Sequence, residues 1–340
     1  MKIRERPRVT MAVIAREAGV SVPTVSKVLN GRRDVAAETR QRVEEVIRER
    51  NYLRRAARPQ RSAGLLDLVF ERLDNPWALE VIRGVEEAAH TAGAGVVISA
   101  THGQSRATRQ WLQQLAVRRS DGVILVLSDL TRSQKAQLDL LGVPFAVIDP
   151  VGQPEPEIPS VGATNWAGGL AATEHLIGLG HRRIAFIGGP RRLLCSRARL
   201  DGYRSALEAA RLPLDPDLIR AGEFDHETGF NQAVGLLELA EPPTAIFAGS
   251  DGQAFGAYEA VRRHGLRIPH DISVVGFDDV PVSRWMAPPL TTVRQPLAEM
   301  GATATRTVLR LAAGEQPELL RVELATSLVV RESAAPPARH

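Results

Sequence analysis

Beyond residue 64, short apolar runs alternate with longer segments whose apolar residues recur at helical spacing. This alternation restricts the possible folds more than any other feature of the chain. Runs that are apolar throughout predict strands buried on both faces, and helices between such strands predict parallel sheets covered on both sides. The predicted strands are 65–70, 96–100, 123–127, 145–148, 184–187, 245–248 and 273–277. The predicted helices lie around 77–91, 105–117, 165–179, 196–210, 226–239 and 253–263.

The strand and helix units fall into two groups, one before about residue 160 and one after it. With 340 residues, 44% of them hydrophobic, the chain can bury two moderate cores besides a small domain. We therefore expect two doubly wound lobes rather than one very wide sheet. Ligands of such sheets bind beyond the carboxyl ends of the strands, so the cleft between the lobes is the expected ligand site.

The stretch 9–52 has another pattern, that of three short helices. Thr10 can cap the first helix, and Gly19 can leave it at positive φ. Ser21 can cap a second helix, which tolerates Pro23 in its first turn. A third helix, 38–50, would close the core. The residues expected to face this core are Met11, Ile14, Ala15, Ala18, Val25, Leu29, Val43, Val46 and Ile47. A plain three-helix bundle is the alternative to a helix-turn-helix.

The charge distribution favours a nucleic-acid function for this segment. Residues 1–62 hold 16 Lys and Arg against 7 Asp and Glu, whereas the rest of the chain holds 27 against 32. The basic surplus therefore lies entirely in the N-terminal segment, as expected of a surface that binds phosphates.

The three-helix stretch resembles the DNA-binding headpiece of the LacI/GalR family of bacterial transcription regulators. The resemblance rests on VTMAVIAREAGVSVPTVSKVLNG, followed by ETRQRV and NY. It implies that the second helix enters the major groove of a double-stranded operator. The residues it places at base edges are Val22, Pro23 and Lys27, and those it places nearer the phosphates are Thr10, Ser21, Thr24, Ser26 and Asn30.

The basic linker 53–63 departs from that family, whose hinge helix ends in a leucine that wedges into the minor groove. Pro59 falls inside the corresponding stretch, and Arg61 stands where the leucine is expected. We expect a basic arm instead, which follows phosphates or lies in a narrow minor groove. Its members are Arg54, Arg55, Arg58 and Arg61. A disordered tether is the alternative.

The remaining chain resembles the effector domain of the same family, through segments such as GHRRIAFIGGP, RARLDGYRSAL and PPLTTVRQPLAEMG. The resemblance implies an all-α headpiece, 1–52, followed by an α/β effector-binding and dimerisation domain like type I periplasmic binding proteins, 64–335. It places lobe 1 at about 64–160 and 291–320, and lobe 2 at about 161–290 and 321–335. The chain would cross between the lobes near Ser160, Leu290 and Arg321.

Candidate ligand residues follow from chemistry and from that resemblance. Carboxylates at strand ends accept hydrogen bonds from vicinal hydroxyls, an arginine fork donates to sugar oxygens, and an aromatic face covers the C–H side of a ring. The predicted ligand shell is Trp77, Asp149, Arg199, Phe224, Ser250, Asp278 and Gln295. Two alternatives stay open: Trp77 could belong to the core, and Asp251, at another strand end, could cap the next helix.

Other classes of protein find little support. A single cysteine, Cys195, excludes a disulfide framework and a Cys-based zinc site, which suits a reducing cytosol, and we expect it to be a small buried side chain. No GxGxxG, GxxxxGK or HExxH spacing occurs, so we expect no enzyme activity, cofactor or metal. No segment has the length of a membrane span, and no apolar run follows the charged N-terminus. We therefore expect a cytoplasmic protein without a membrane partner.

Together these features predict a sequence-specific transcriptional repressor that a sugar effector releases from DNA. A homodimer that reads an inverted repeat is expected, because one small headpiece makes too few base contacts for specificity. The effector must interact differently with two arrangements of the lobes. The alternatives are a regulator that the sugar corepresses or activates, and a sugar-binding receptor without a DNA function. The receptor would need a secretory signal and no headpiece.

Overall fold

The three N-terminal helices form a compact unit around a small apolar core. We describe a computed structural model in which residues 11–29, 35–50, 63–127 and 131–338 are placed. The helices are α1 Met11–Glu17, α2 Val22–Leu29 and α3 Ala37–Glu49. Their buried residues are Ile14, Ala15, Ala18, Val25, Val28 and Val43, with Val46 and Ile47 partly buried against them. Leu29 was also predicted to face this core, but its side chain is not among those that the structure describes.

Local hydrogen bonds explain where these helices begin and end. Gly19 has φ +65°, as predicted for the turn after α1. The side chain of Ser21 accepts from the Thr24 N–H at 3.2 Å, which confirms the cap of α2. Arg50 donates two hydrogen bonds of 2.7 Å to Glu17 and so ties the end of α3 to α1. Met11 was expected inside but is 37% exposed, because it opens α1 and has helix neighbours on one side only.

Residues 63–338 contain twelve strands and eight helices within the described ranges. The strands are β1 Leu65–Phe70, β2 Gly95–Ala100, β3 Gly122–Val126, β4 Phe145–Ile148, β5 Ser160–Ala163, β6 Ile184–Gly188, β7 Ile219–Ala221, β8 Ala245–Ala248, β9 Ser273–Asp278, β10 Thr291–Arg294, β11 Arg321–Leu324 and β12 Ser327–Val329. The helices are α4 Pro76–Thr91, α5 Ser105–Arg118, α6 Arg132–Leu141, α7 Asn165–Gly178, α8 Leu194–Ala209, α9 His226–Leu237, α10 Asp251–Arg263 and α11 Leu297–Ala312. Two short 3₁₀ helices span Pro216–Leu218 and Pro281–Arg284.

The strands form two six-stranded sheets, which confirms the prediction of two doubly wound lobes. The first sheet has the order β11-β5-β4-β3-β1-β2 and is parallel throughout. The second has the order β12-β10-β9-β8-β6-β7 and is parallel except for β12, which runs antiparallel to β10. The central strands β3, β4, β6, β8 and β9 are buried along their whole length, as expected of parallel strands covered on both faces.

The chain crosses between the lobes three times, each time a few residues later than predicted. β5 still pairs in the first sheet, so the first crossing follows Ala163. β10 belongs to the second sheet, although 291–320 was assigned to lobe 1. β11 belongs to the first sheet, although 321–335 was assigned to lobe 2. The predicted boundaries fell at the beginnings of short strands, whereas the chain completes each strand in its own sheet before it crosses.

Three pairs of neighbouring helices approach each other through glycine. A Cβ at Gly84 of α4 would lie 1.9 Å from the Ala298 carbonyl oxygen of α11. In the second lobe, a Cβ at Gly169 of α7 would lie 2.4 Å from the Arg199 carbonyl oxygen of α8, and one at Gly229 of α9 would lie 2.0 Å from that of Gln253 in α10. Real Cβ atoms cannot come so close, so only glycine allows these helices to pack at this distance.

Candidate functional site

The second helix of the headpiece and its cap residue hold half of the predicted DNA-binding residues, all of them outside the headpiece core. Val25 and Val28 fix the inner face in the core. Val22 is 41% exposed, Ser21, Pro23 and Lys27 are exposed, and Thr24 and Ser26 are half-buried. The segregation of apolar and polar positions leaves an outer surface that a groove of DNA can approach. The other predicted DNA-binding residues, Thr10, Asn30, Arg54, Arg55, Arg58 and Arg61, lie outside the described residues.

A cavity lies between the two lobes, where their strands end. We call it the cleft cavity. It is lined by Asn75, Pro76, Trp77, Leu127, Asp149, Cys195, Arg199, Phe224, Ser250, Gly252, Asp278 and Val280. Six of the seven residues of the predicted ligand shell are in this set. The cavity therefore brings together side chains from both lobes that are up to two hundred residues apart in the chain.

Local structure positions the residues that lobe 1 contributes. Asn75 caps α4 by accepting from the Ala78 N–H at 2.9 Å, which sets Pro76 and Trp77 in the first turn at the cavity wall. Trp77 is 9% exposed; it lines the cleft cavity and also packs in the core of lobe 1. Asp149 follows β4 directly with φ +48°, a conformation that Asp adopts more readily than most residues.

Arg199, in α8, is the best anchored side chain of the cavity. It is 3% exposed, and its Nε donates to Asn165 Oδ1 at 2.8 Å. One terminal nitrogen donates to the Gly249 carbonyl at 2.5 Å and lies 3.8 Å from Asp278 Oδ1. The guanidinium carbon is 3.8 Å from the centre of the Phe277 ring. These contacts hold the guanidinium in one orientation and leave it able to donate to a ligand.

Two buried carboxyl groups, Asp149 and Asp278, lie near this arginine, and a third, Asp251, lies near Asp278. Burial raises the pKa of Asp149 to about 6, and the charge of Arg199 opposes that rise. Burial likewise raises the pKa of Asp278, again against Arg199. The pKa of Asp251 is raised well above its ordinary value by burial and then by the charge of Asp278. The site therefore favours neutral hydrogen-bonding ligands over anions.

Gln295 and Asp251 make contacts beside the cleft cavity and are absent from its lining. The Gln295 side-chain amide donates to Asp278 Oδ1 at 2.7 Å. Asp251 does not cap α10, since Ser250 takes that role by accepting from the Gln253 N–H at 3.1 Å. The Asp251 carboxylate instead accepts from the Val280 N–H and the Thr292 hydroxyl, at 2.9 and 2.6 Å.

Sequence reasoning missed several residues of the site. Asn165 orients Arg199 from the first turn of α7, and Cys195 lies on the cavity wall one helical turn before Arg199. Only the helical spacing of four between Cys195 and Arg199 could have indicated that they share a face. Cys195 is buried, as expected of a small apolar side chain. Nothing in the local pattern indicates Asn165, because its partner lies 34 residues away.

The cleft cavity has a volume of about 50 Å³. This corresponds to one or two water molecules, whereas pockets for small organic ligands measure about 300 Å³ or more. A sugar ring can therefore enter only if the lobes or the lining side chains move apart.

The described residues contain no group of three or more His, Cys, Asp and Glu side chains with the geometry of a metal site. None of their helices combines the length and apolar character needed to cross a membrane.

Comparisons with known proteins cover both parts of the chain. The family model described as "Bacterial regulatory proteins, lacI family" matches residues 10–55, and that described as "Periplasmic binding protein-like domain" matches residues 173–334. The ribose operon repressor of Haemophilus influenzae is 36% identical over 328 residues, covering 95% of this chain and 98% of that protein.

Two solved structures are similar over almost the whole chain. The transcriptional regulator CelR in complex with cellobiose has a TM-score of 0.75 and 35% identity, covering 96% of this chain and 100% of its own. The lac repressor dimer bound to operator and the anti-inducer ONPF has a TM-score of 0.70 and 30% identity, covering 96% and 99%.

Proposed function

The chain belongs to the lacI family of bacterial regulatory proteins, and from this premise we propose that it is a repressor released from its operator by a sugar. The observation that carries the sugar is the cleft cavity, where a fixed guanidinium, buried carboxyl groups and two aromatic rings converge between two lobes. This combination suits a ring that has hydroxyl groups at its edge and C–H groups on its face. The relatives named for ribose and cellobiose support the same ligand class.

The coupling to DNA follows from the size of the cleft cavity. A cavity of about 50 Å³ holds no sugar ring, and we propose that the lobes move to admit one, so that ligand binding selects another arrangement of the two lobes. The shift is limited by the difference in ligand affinity between the two arrangements. A ligand that contacts Asp149 in lobe 1 and Arg199 in lobe 2 is sensitive to their separation. It therefore discriminates between the arrangements.

We further propose that the chain catalyses no reaction and acts in the cytoplasm, where its DNA target lies. The one thiol beside the cavity is a poor nucleophile, because burial raises the pKa of Cys195 to about 12 and keeps it protonated. Homodimers are the expected binding form, as in the lac repressor dimer bound to operator, since two headpieces can read an inverted repeat.

Fluorescence anisotropy of labelled DNA tests this function. Fragments from upstream of the gene and its neighbours would be titrated with the full-length protein, first alone and then with ribose or cellobiose. We expect one fragment to bind tightly and to be released by a sugar. A sugar that tightens binding would instead identify a corepressed regulator, and the absence of any specific fragment would contradict a DNA function.

Substitutions separate the two activities. Lys27→Ala should weaken operator binding by about 1–3 kcal/mol if the lysine contacts a base edge, and it should leave sugar binding intact. Arg199→Ala and Asp278→Ala should have the opposite effect, with operator binding kept and the response to sugar lost. Full-strength sugar binding by both cleft variants in calorimetry would show that the proposed site is wrong.

A further inference from the structure

A second cavity adjoins the first on the side where the chain crosses between the lobes. We call it the hinge cavity. It has a volume of about 320 Å³ and is lined by Asp149, Pro150, Gly162, Ala163, Thr164, Asn165, Trp166, Ala167, Leu194, Cys195, Ala198 and Glu323. It shares Asp149 and Cys195 with the cleft cavity. Unlike the cleft cavity, it already has the volume of a small-molecule pocket.

Asp149 is a buried polar side chain that still has hydrogen-bonding capacity here. It is 5% exposed, and within the described residues its carboxylate has no hydrogen-bond donor, since Arg199 acts on it only through its charge. A Cβ atom added at Gly162 would lie 3.6 Å from Asp149 Oδ1. This oxygen therefore faces Gly162, a residue of the hinge cavity wall. A buried carboxylate without a donor is costly, and a ligand hydroxyl would supply one.

Three more features of the wall suit a hydroxylated ring. Trp166 is 47% exposed, an aromatic surface on which the C–H face of a ring can stack. Glu323 is exposed, with no ion pair or hydrogen bond from its carboxylate to any described residue. The first turns of α7 and α8 also reach the cavity, and neither Thr164 nor Leu193 caps its helix with a side chain. The Leu194 N–H of α8 already donates to the Val151 carbonyl at 3.1 Å, so the first-turn N–H groups of α7 are the donors left for a ligand.

Charge selects among the ligands that such donors could hold. Helix N-termini favour anions, but the side chains of this cavity include two carboxyl groups, Asp149 and Glu323, and no Lys, Arg or His. A phosphate or carboxylate would be repelled by both acids. A neutral molecule with several hydroxyl groups can instead donate to the carboxylates and accept from the N–H groups.

From this geometry we propose that the hinge cavity is a second carbohydrate subsite. It binds either the second ring of an oligosaccharide effector or a separate sugar molecule. The inference rests on the proposed sugar response of the cleft and extends it. Since two of the three crossings contribute Thr164 and Glu323 to its wall, a ring bound here contacts the segments that govern lobe movement directly.

Calorimetry on the full-length protein tests the subsite with ribose, glucose and cellobiose as probes. The variants are Trp166→Ala and Glu323→Gln, and the matched control is Glu318→Gln, an exposed carboxylate outside both cavities. We expect each hinge variant to lose at least about tenfold in affinity for the sugar that occupies the hinge cavity, since a charged hydrogen bond or a stacking surface is removed. The control should bind as the parent protein does.

The stoichiometry distinguishes the two sources of the ring. One cellobiose per chain, weakened by both hinge variants, identifies an oligosaccharide that spans the two cavities. Two monosaccharides per chain, of which the variants remove one, identify a separate sugar. Either result supports the subsite.

Three results would overturn it. One sugar bound per chain with the same affinity in the parent and both hinge variants would refute the subsite, while its loss in Arg199→Ala would keep the proposed function intact. Binding of inorganic phosphate that Trp166→Ala weakens would refute the carbohydrate assignment. If none of the three sugars binds the parent protein, both the subsite and the sugar response of the cleft are refuted.

Discussion

At the scale of single residues, the Asp149 carboxyl group is deeply buried and accepts no hydrogen bond from the described residues. We therefore expect its ionisation to make the stability of the protein depend on pH. Its ordinary pKa is 3.8 and burial raises it to about 6. A raised carboxyl pKa means that the folded state binds the proton more tightly than the unfolded state does. The contribution of Asp149 to the free energy of unfolding is therefore fully present below pH 3.8 and is lost as the pH rises through about 6.

Asp149→Asn removes this titration, because the amide stays neutral. We expect the variant and the parent to be similarly stable near pH 4, and the variant to be more stable by up to about 3 kcal/mol above pH 7. Urea unfolding at a series of pH values measures the difference. Asp271→Asn is a control in which stability should change with pH in the opposite direction, since hydrogen bonds from Arg267 lower the pKa of Asp271. A difference at Asp149 that is independent of pH would contradict the argument.

Substitution of Arg199 by lysine tests whether a positive charge alone is enough for sugar binding in the cleft cavity. Lysine keeps the charge but cannot donate to Asn165 and Gly249 in the same planar geometry. We expect Arg199→Lys to bind sugar at least about tenfold more weakly by calorimetry and to retain operator binding. The control is Arg197→Lys, an exposed arginine of the same helix. Equal sugar affinity of parent and Arg199→Lys would show that the fork geometry is not used.

Some site residues are placed by a local sequence pattern and could be predicted, whereas others are placed by packing between helices and could not. Asp149 and Asp278 follow apolar strands, and the carboxyl ends of parallel strands meet at one edge, so a local pattern predicts their meeting. Asn165 and Cys195 reach the site through packing between α7 and α8, which the sequence does not display. Gln295 donates to Asp278, a contact that neither the local pattern nor the resemblance specifies.

At the scale of elements, strands that form an apolar run were predictable to within a residue or two, and strands without such a run were not. β1, β4 and β8 have the predicted bounds. Five strands were missed, namely β5, β7, β10, β11 and β12, and each has only three or four residues. β7, β11 and β12 are partly buried, so their sequences are not apolar runs. β5 and β10 are mostly buried, but their sequences, SVGA and TTVR, contain too few large apolar residues to signal a strand.

Glycine at the contact of α7 and α8 determines where Arg199 lies. A Cβ at Gly169 would approach the Arg199 carbonyl oxygen to 2.4 Å, so Gly169→Ala must push α8 away. We expect a loss of about 1–3 kcal/mol in the free energy of unfolding, typical of overpacking, and weaker sugar binding. Urea unfolding and calorimetry measure the two effects.

Gly178→Ala is the matched control, because it lies in the same helix and a Cβ there would have no atom within 4 Å. This variant should be as stable as the parent or more stable by up to about 1 kcal/mol, since alanine favours the helix. If the two alanine variants behaved alike, close approach of the helices would not be the reason for Gly169.

At the scale of the whole molecule, we expect a dimer in solution. A single headpiece makes too few base contacts for specificity, and two headpieces together can read an inverted repeat. Sedimentation of the full-length protein at micromolar concentration should give twice the chain mass of 36.9 kDa. A monomer or a stable tetramer would contradict this expectation.

The two threonines beside the hinge cavity limit how the lobes can move. The Thr326 N–H and the Thr164 hydroxyl lie 2.9 Å apart, the Thr326 hydroxyl donates to the Thr164 carbonyl, and the Thr164 N–H donates to Leu324. Hydrogen bonds therefore join two of the three connections between the lobes. We expect the joined segments to move as a unit, so that rotation of one lobe against the other about them is favoured over sliding. The binding energy of a ligand between the lobes would then act mainly on that rotation.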